Sequence, residues 1–344
     1  VGSMVSGIDL ICKNRDKFIH YTPIPCMENS LSNKTVFDML EDSTGRVWIG
    51  TLGGGLNLLD RKKNIFTHYR ADSTNKKNSI SNDHVFTLLE ISKGQLGIGY
   101  GENGGFDFFD VEKGVFTHNL PEFVIHNPNK MVGKAETCAI KDEFGDLWIG
   151  TWGSGLNLYV TKTKTFYKYG HSNSNTASIT GNAVLCILED RHNNIWVGTE
   201  NGLNLLDRQK NSFTHFLHDR KNKHSISNDH IYSLAEDKAG VIYVGTSGGL
   251  NVMDPKTRTF VTYTQKDGLP NDVIKSIEID LHGNLWLATN KGVAMFNPQT
   301  HKCRVYDVAD GLQGELFLRG SSYMSTKGEI FFGGDNGFNI FHPD

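Results

Sequence analysis

One phrase recurs along this chain and constrains its fold more than any other feature. VWIGTLGGGLNLLD at Val47–Asp60 returns as LWIGTWGSGLNLY (Leu147–Tyr159), IWVGTENGLNLLD (Ile195–Asp207), IYVGTSGGLNVMD (Ile242–Asp254), LWLATNKGVAMFN (Leu285–Asn297) and IFFGGDNGFNIFH (Ile330–His342). LGIGYGENGGFDFFD, at Leu96–Asp110, falls in the same series. Anchored on Gly50, Gly99, Gly150, Gly198, Gly245, Ala288 and Gly333, successive copies lie 43 residues apart at the closest (Gly245 to Ala288) and 51 at the widest (Gly99 to Gly150). That is the range of four-stranded propeller blades, about 40–50 residues each. A chain of 344 residues is too long for one ordinary core, and repetition resolves the difficulty.

Each unit parses into four strands. In the first, VFDMLED (Val36–Asp42) alternates, STG turns, and VWIGT, GLNLLD and IFTHY follow. Period-two alternation of β-branched and aromatic residues between glycine turns is the strand signal, and no helical period competes. The expected fold is all-β: a seven-bladed β-propeller of four-stranded antiparallel blades, at approximately 35–70, 84–118, 135–169, 183–217, 230–263 and 273–306. The closing blade is expected to be shared, 321–342 joined by a strand at 16–22, because a closed ring leaves no long exposed edge. GIDLI (Gly7–Ile11) and GFNIF (Gly337–Phe341) compete for one slot in it; the surplus strand reads as the tail of a preceding domain, with an eight-blade ring as the alternative. VGSM at 1–4 reads as a cloning scar, with the single propeller over 5–344.

The repeat decides what shorter motifs mean. Gly99, Gly101 and Gly104 satisfy G-x-G-x-x-G, but a dinucleotide turn must open a helix, and FDFFD after Gly105 is a strand. D-x-x-G at Asp42–Gly45, Asp142–Gly145, Asp237–Gly240 and Asp280–Gly283 is turn punctuation, Asp bonding local backbone and Gly taking positive φ. It lacks the ligand ladder of a calcium loop. Trp48, Trp148, Trp196, Tyr243, Trp286 and Phe331 share one register and are expected to fill the wedges between blades, whereas Gly97 replaces the aromatic in the second blade. A column of small residues, Asp38, Thr87, Cys138, Cys186, Ser233, Ser276 and Ser321, absorbs two cysteines as core-lining groups. The twice-used SISNDH (Ser79–His84, Ser225–His230) reads as a structural turn.

Composition narrows the function classes. A formal net charge of -3 offers no basic field for nucleic acid, and no apolar run reaches membrane-span length. The five cysteines, an odd number without a C-x-x-C pair, suit neither a zinc site nor a complete disulfide framework, and no cofactor is expected.

W-I-G-T-x-x-G-G-L-N-x-x-D, preceded by E-D-x-x-G and followed by F-x-x-Y, closely resembles the two-component regulator propeller repeat. The resemblance covers nearly the whole chain, and GLQGELF with GEIFFGGDNGFNIFHPD (Gly311–Phe317, Gly328–Asp344) is similar to the closing blade of the second, membrane-proximal propeller in such proteins. It implies the periplasmic sensor region of a hybrid two-component protein, anchored in the inner membrane through segments outside this chain. It also implies an oligosaccharide ligand derived from complex polysaccharides, an adjacent propeller and immunoglobulin-like module as partners, and signalling as a homodimer. Kinase and DNA-binding activities would belong to other domains, so this chain is expected to be no enzyme.

A ligand is expected on the face that carries the turns between second and third strands and the blade-to-blade linkers. The turns contribute Tyr100, Glu102, Trp152, Glu200, Lys291 and Asp335; the linkers contribute His84, His230, Asn271 and Arg319. Flat aromatics with planar hydrogen-bonding groups are what sugars require. His84 and His230, three blades apart, do not suggest a metal site. Two alternatives remain open: a lyase- or glycosidase-like propeller using a carboxylate pair such as Glu102 with Glu200, or Asp335 with either, and a scaffold that binds only protein.

Overall fold

In the computed structural model, residues 2–3, 7–8, 17–101, 105–119 and 135–343 are described. Their strands form seven four-stranded antiparallel sheets. Blades 1 to 6 begin at Val36–Glu41, Val85–Ser92, Glu136–Lys141, Val184–Glu189, Ile231–Glu236 and Ile274–Ile279, each followed in order by its second, third and fourth strands. Blade 7 takes Phe317–Met324, Ile330–Gly334 and Gly337–Phe341 from the C-terminus and Ile19–Tyr21 from the N-terminus. The contested slot therefore belongs to GFNIF. Of GIDLI, the described Gly7–Ile8 pairs with Gly2–Ser3 instead, and the remainder lies outside the described residues.

First strands of neighbouring blades pack side by side around the ring, from blade 1 through blade 7 and back to blade 1. The wedges between blades hold the aromatic column: Trp48, Trp148, Trp196, Tyr243, Trp286 and Phe331 are all buried. Each ring with a polar handle finds an acceptor six residues upstream. Trp48, Trp148, Trp196 and Trp286 donate Nε1–H to Oδ2 of Asp42, Asp142, Asp190 and Asp280 at 2.8–3.0 Å, and Tyr243 donates its hydroxyl to Asp237 at 3.0 Å. The turn aspartate thus serves twice, since its Oδ1 also accepts backbone N–H groups, as from Thr44 and Arg46 to Asp42. Where the ring is Phe331 and has nothing to donate, the turn residue is Ser325. In blade 2, where Gly97 has no ring at all, that position is Ile91, and Phe106 from the third strand fills the wedge toward blade 3.

The small-residue column makes the joints between first strands. Asp38 accepts from Leu88 N–H of the next blade at 2.7 Å, Ser321 donates to Val36 O at 2.8 Å, and the Cys186 thiol points at Ile231 O. Burial pushes the Cys138 thiol up to about 11 and Cys186 higher still, so both are inert packing groups. Third-strand asparagines tie down the linkers: Asn57, Asn204 and Asn251 accept from the backbone N–H of Ser32, Thr180 and Ser227.

Candidate functional site

Every blade's first strand carries a β-bulge at the same place, two residues after it leaves the linker. A bulge adds an unpaired residue and re-aims its side chain. Here the extra residues are Phe37, Phe86, Thr137, Leu185, Tyr232 and Lys275 in blades 1 to 6. Between Val36 and Met39 lie two residues, but between the corresponding Phe317 and Ser322 lie four, Leu318 to Ser321, so the blade 7 bulge is two residues longer. Together the bulges ring one end of the central channel, a cavity of about 390 Å³ lined by first strands of all seven blades.

The ring is chemically uneven. Phe37 and Phe86 stack with centroids 3.9 Å apart and interplanar angle 18°. Farther round, Lys275 Nζ sits 3.9 Å over the Tyr232 ring, and the His230 imidazole lies 4.6 Å from the same ring. Arg319 reaches across from blade 7 and donates through Nη1 to the Leu185 carbonyl of blade 4. Burial pushes the Arg319 guanidinium down from its ordinary value. The His230 imidazole is lowered by burial and by the Lys275 charge, with Glu200 opposing and Arg319 adding to the fall. Among the described residues neither Lys275 nor Arg319 forms an ion pair with a carboxylate.

Further along the channel wall stand two carboxyls. Asp38 accepts from Leu88 and Met39 N–H at 2.7 and 2.8 Å, and Glu278 accepts from the Ser322 hydroxyl at 2.7 Å. Burial outweighs these bonds and raises Asp38 to about 8 and Glu278 to about 7.

Eight of the ten sequence-predicted residues separate into three groups. His230 lies beside the Tyr232 ring of the channel lining, and Glu200 and Arg319 both act on it electrostatically. Trp152 (55% exposed), Lys291 and Asp335 stand in exposed turns of three different blades. His84 lies at the junction of blades 1 and 2, its backbone N–H held by Asn82 Oδ1, and Asn271 uses its Oδ1 on Val273 N–H, so both linker positions serve turns. Tyr100 is a correction: it is fully buried, its hydroxyl donating to Asp107 Oδ2 at 2.6 Å and its N–H to Glu136, because blade 2 sets a tyrosine where blades 1 and 3 to 6 have threonine and blade 7 has Gly334. It presents no face to a ligand. Glu102 lies outside the described residues. No group of three metal-ligating side chains occurs among the described residues.

Sequence reasoning missed Phe37, Phe86, Tyr232 and Lys275. Their signal is visible in retrospect as the one first-strand column that reads Phe, Phe, Thr, Leu, Tyr and Lys between a constant β-branched or acidic residue and the small-residue column. A position so variable inside so regular a repeat is free of the packing demand that fixes its neighbours.

Three segments of the chain, residues 30–53, 178–201 and 225–248, match the two-component regulator propeller family. A curated protein named histidine kinase P4, from Formosa agariphila, is 29% identical over 90 residues, which are 26% of this chain and 6% of that one. Among solved structures, the extracellular domain of a protein described as a hybrid two-component system from B. thetaiotaomicron superposes with a TM-score of 0.75 at 19% identity, over 94% of this chain and 39% of its own. A streptogramin B lyase superposes with a TM-score of 0.68 at 14% identity, over 96% of this chain and 99% of its own. The structural likenesses show the shared propeller fold, and the chain spans about two fifths of the B. thetaiotaomicron domain and a small part of the kinase. No described helix is long and apolar enough to cross a membrane.

Proposed function

We propose that this chain, which carries two-component regulator propeller repeats, is an extracytoplasmic sensor-region propeller of a hybrid two-component protein and contributes to oligosaccharide recognition. The observation that carries the reading is the match of three blade units to that repeat family, with a histidine kinase among the sequence relatives. The ligand site is the channel mouth and the turns around it, where aromatic faces and hydrogen-bonding side chains stand side by side as sugars require. Binding outside the membrane biases the relative placement of two protomers, and so a kinase in domains beyond this chain. An adjacent propeller, an immunoglobulin-like module and a periplasmic location complete the proposal.

The lyase likeness motivates a second reading, a propeller enzyme. Its acid–base pair would come from Glu200 and His230, a sequence-predicted carboxylate and imidazole that act on each other electrostatically.

A thermal-shift screen against neutral and acidic oligosaccharides tests the sensor reading, because a ligand at a hundred times its dissociation constant adds about 2.7 kcal/mol. A shift by an unaltered glycan supports sensing. Turnover of that glycan supports the enzyme instead, and a panel with no shift removes ligand binding from this propeller.

A further inference from the structure

We propose that the channel mouth binds the carboxylate of an acidic sugar residue, with Arg319 and Lys275 as its anion-binding groups. The sugar rests on the sensing reading above; the anion rests on the bulge ring alone.

The first strand of blade 7 departs from its six companions at the bulge. Its bulge is two residues longer, passes through Gly320 at φ +68°, and carries Arg319 over the channel to the opposite wall. Lengthened bulges beside a cavity re-aim side chains. An enclosed guanidinium against a neutral carbonyl is costly, since a buried charge normally demands an opposite charge. A fold that retains such a group, with the Lys275 ammonium held over the Tyr232 ring that lines the same cavity and without a carboxylate partner among the described residues, holds an incomplete ion pair that an anion would complete.

The rest of the rim limits what the anion belongs to. Asp38 and Glu278 share the channel, but Asp38 is engaged by backbone N–H groups and Glu278 by the Ser322 hydroxyl, and neither neutralises Arg319. Glu200 acts electrostatically on His230 and disfavours a ligand charged all over. The stacked Phe37–Phe86 pair gives an apolar wall for the C–H face of a ring, and the cavity of about 390 Å³ falls within the usual 300–1,000 Å³ of small-ligand sites. One charged group on an otherwise neutral ring fits this rim better than a polyanion. Arginine's planar fork matches a carboxylate in two-point contact, and the neighbouring ammonium adds a movable point charge.

Isothermal titration of the whole chain with an oligouronate, a neutral oligosaccharide of equal length, a sulfated neutral oligosaccharide and a free monouronate tests the assignment. The expected result is tightest binding of the oligouronate, weakened at least about tenfold by Arg319→Gln and by Lys275→Gln, and unchanged by Lys256→Gln on an exposed outer turn. Arg319→Gln removes an unpaired enclosed charge, so its thermal midpoint should hold or rise, which separates lost binding from lost folding. Equal affinity for neutral and acidic sugars, preference for the sulfated one, or binding insensitive to both substitutions overturns the proposal. Arg319-dependent binding of the monouronate without any oligosaccharide binding upholds the anion site and overturns the carbohydrate-sensing reading. Binding of the neutral sugar alone does the reverse.

Discussion

Phe106 occupies the volume that Gly97 leaves open. The two lie diagonally on adjacent strands of blade 2, two residues apart in register because Gly97 pairs with Phe108, and a Cβ built on Gly97 would overlap the Phe106 ring at Cζ and crowd Ile91 at 3.2 Å. The ring that six blades take from the second strand is supplied here from the third. This is a compensated exchange.

Gly97→Ala should therefore destabilise the protein by about 1–3 kcal/mol, the cost of overpacking a filled core. Phe106→Leu restores the residue that blades 1, 3, 4 and 5 carry at that position, and combined with Gly97→Ala it should recover part of the loss. Urea denaturation of both single variants and the double variant measures the coupling; strictly additive effects would show that the two side chains do not share the space.

The aspartate–indole pairs predict a second non-additive cycle. Asp280→Ala orphans the buried Trp286 N–H and should cost about 1–3 kcal/mol. Asp280→Ser with Trp286→Phe recreates the Ser325–Phe331 pairing of blade 7, and should cost less than the sum of its parts. The same bonds set the acid limit of the fold. Burial pushes the Asp42 carboxyl up, but bonds from Thr44, the Trp48 indole and Arg46 outweigh it and hold it at about 2 against an ordinary 3.8. A depressed carboxyl contributes stability above its unfolded value and loses it as pH falls toward the folded one. Thermal midpoints should drop between pH 4 and pH 2, and less steeply in Asp42→Asn.

Glu278 carries the opposite sign. Burial raises it from 4.5 to about 7, with the Ser322 hydroxyl opposing. Its neutral form suits the folded channel, so the stability it allows is full below 4.5 and is lost as pH rises through about 7. Glu278→Gln keeps an acceptor for Ser322 and cannot ionise. The variant should match the parent at pH 5 and exceed it at pH 8 in thermal midpoint; equal behaviour at both values would place the carboxyl in water.

The sequence by itself determined the ring. Seven copies of one phrase at blade spacing, alternation between glycine turns, and an N-terminal KFIHY able to complete the last sheet all act within or between adjacent strands, where period and pairing rules reach. Those rules also identified Asp-x-x-Gly as a turn, though not the indole that its carboxylate holds six residues on. The tertiary structure alone decided the mouth of the channel. Phe37, Phe86, Tyr232, Lys275 and Arg319 lie on different blades, and they converge because each blade bulges at the same point and the ring closes on itself. Tyr100 failed as a surface residue for the complementary reason. Its place in the glycine-rich turn resembled its counterparts, but burial depends on Asp107 and Glu136 standing ready to take its polar groups, and that is a fact of packing between strands and blades, beyond the reach of spacing along the chain.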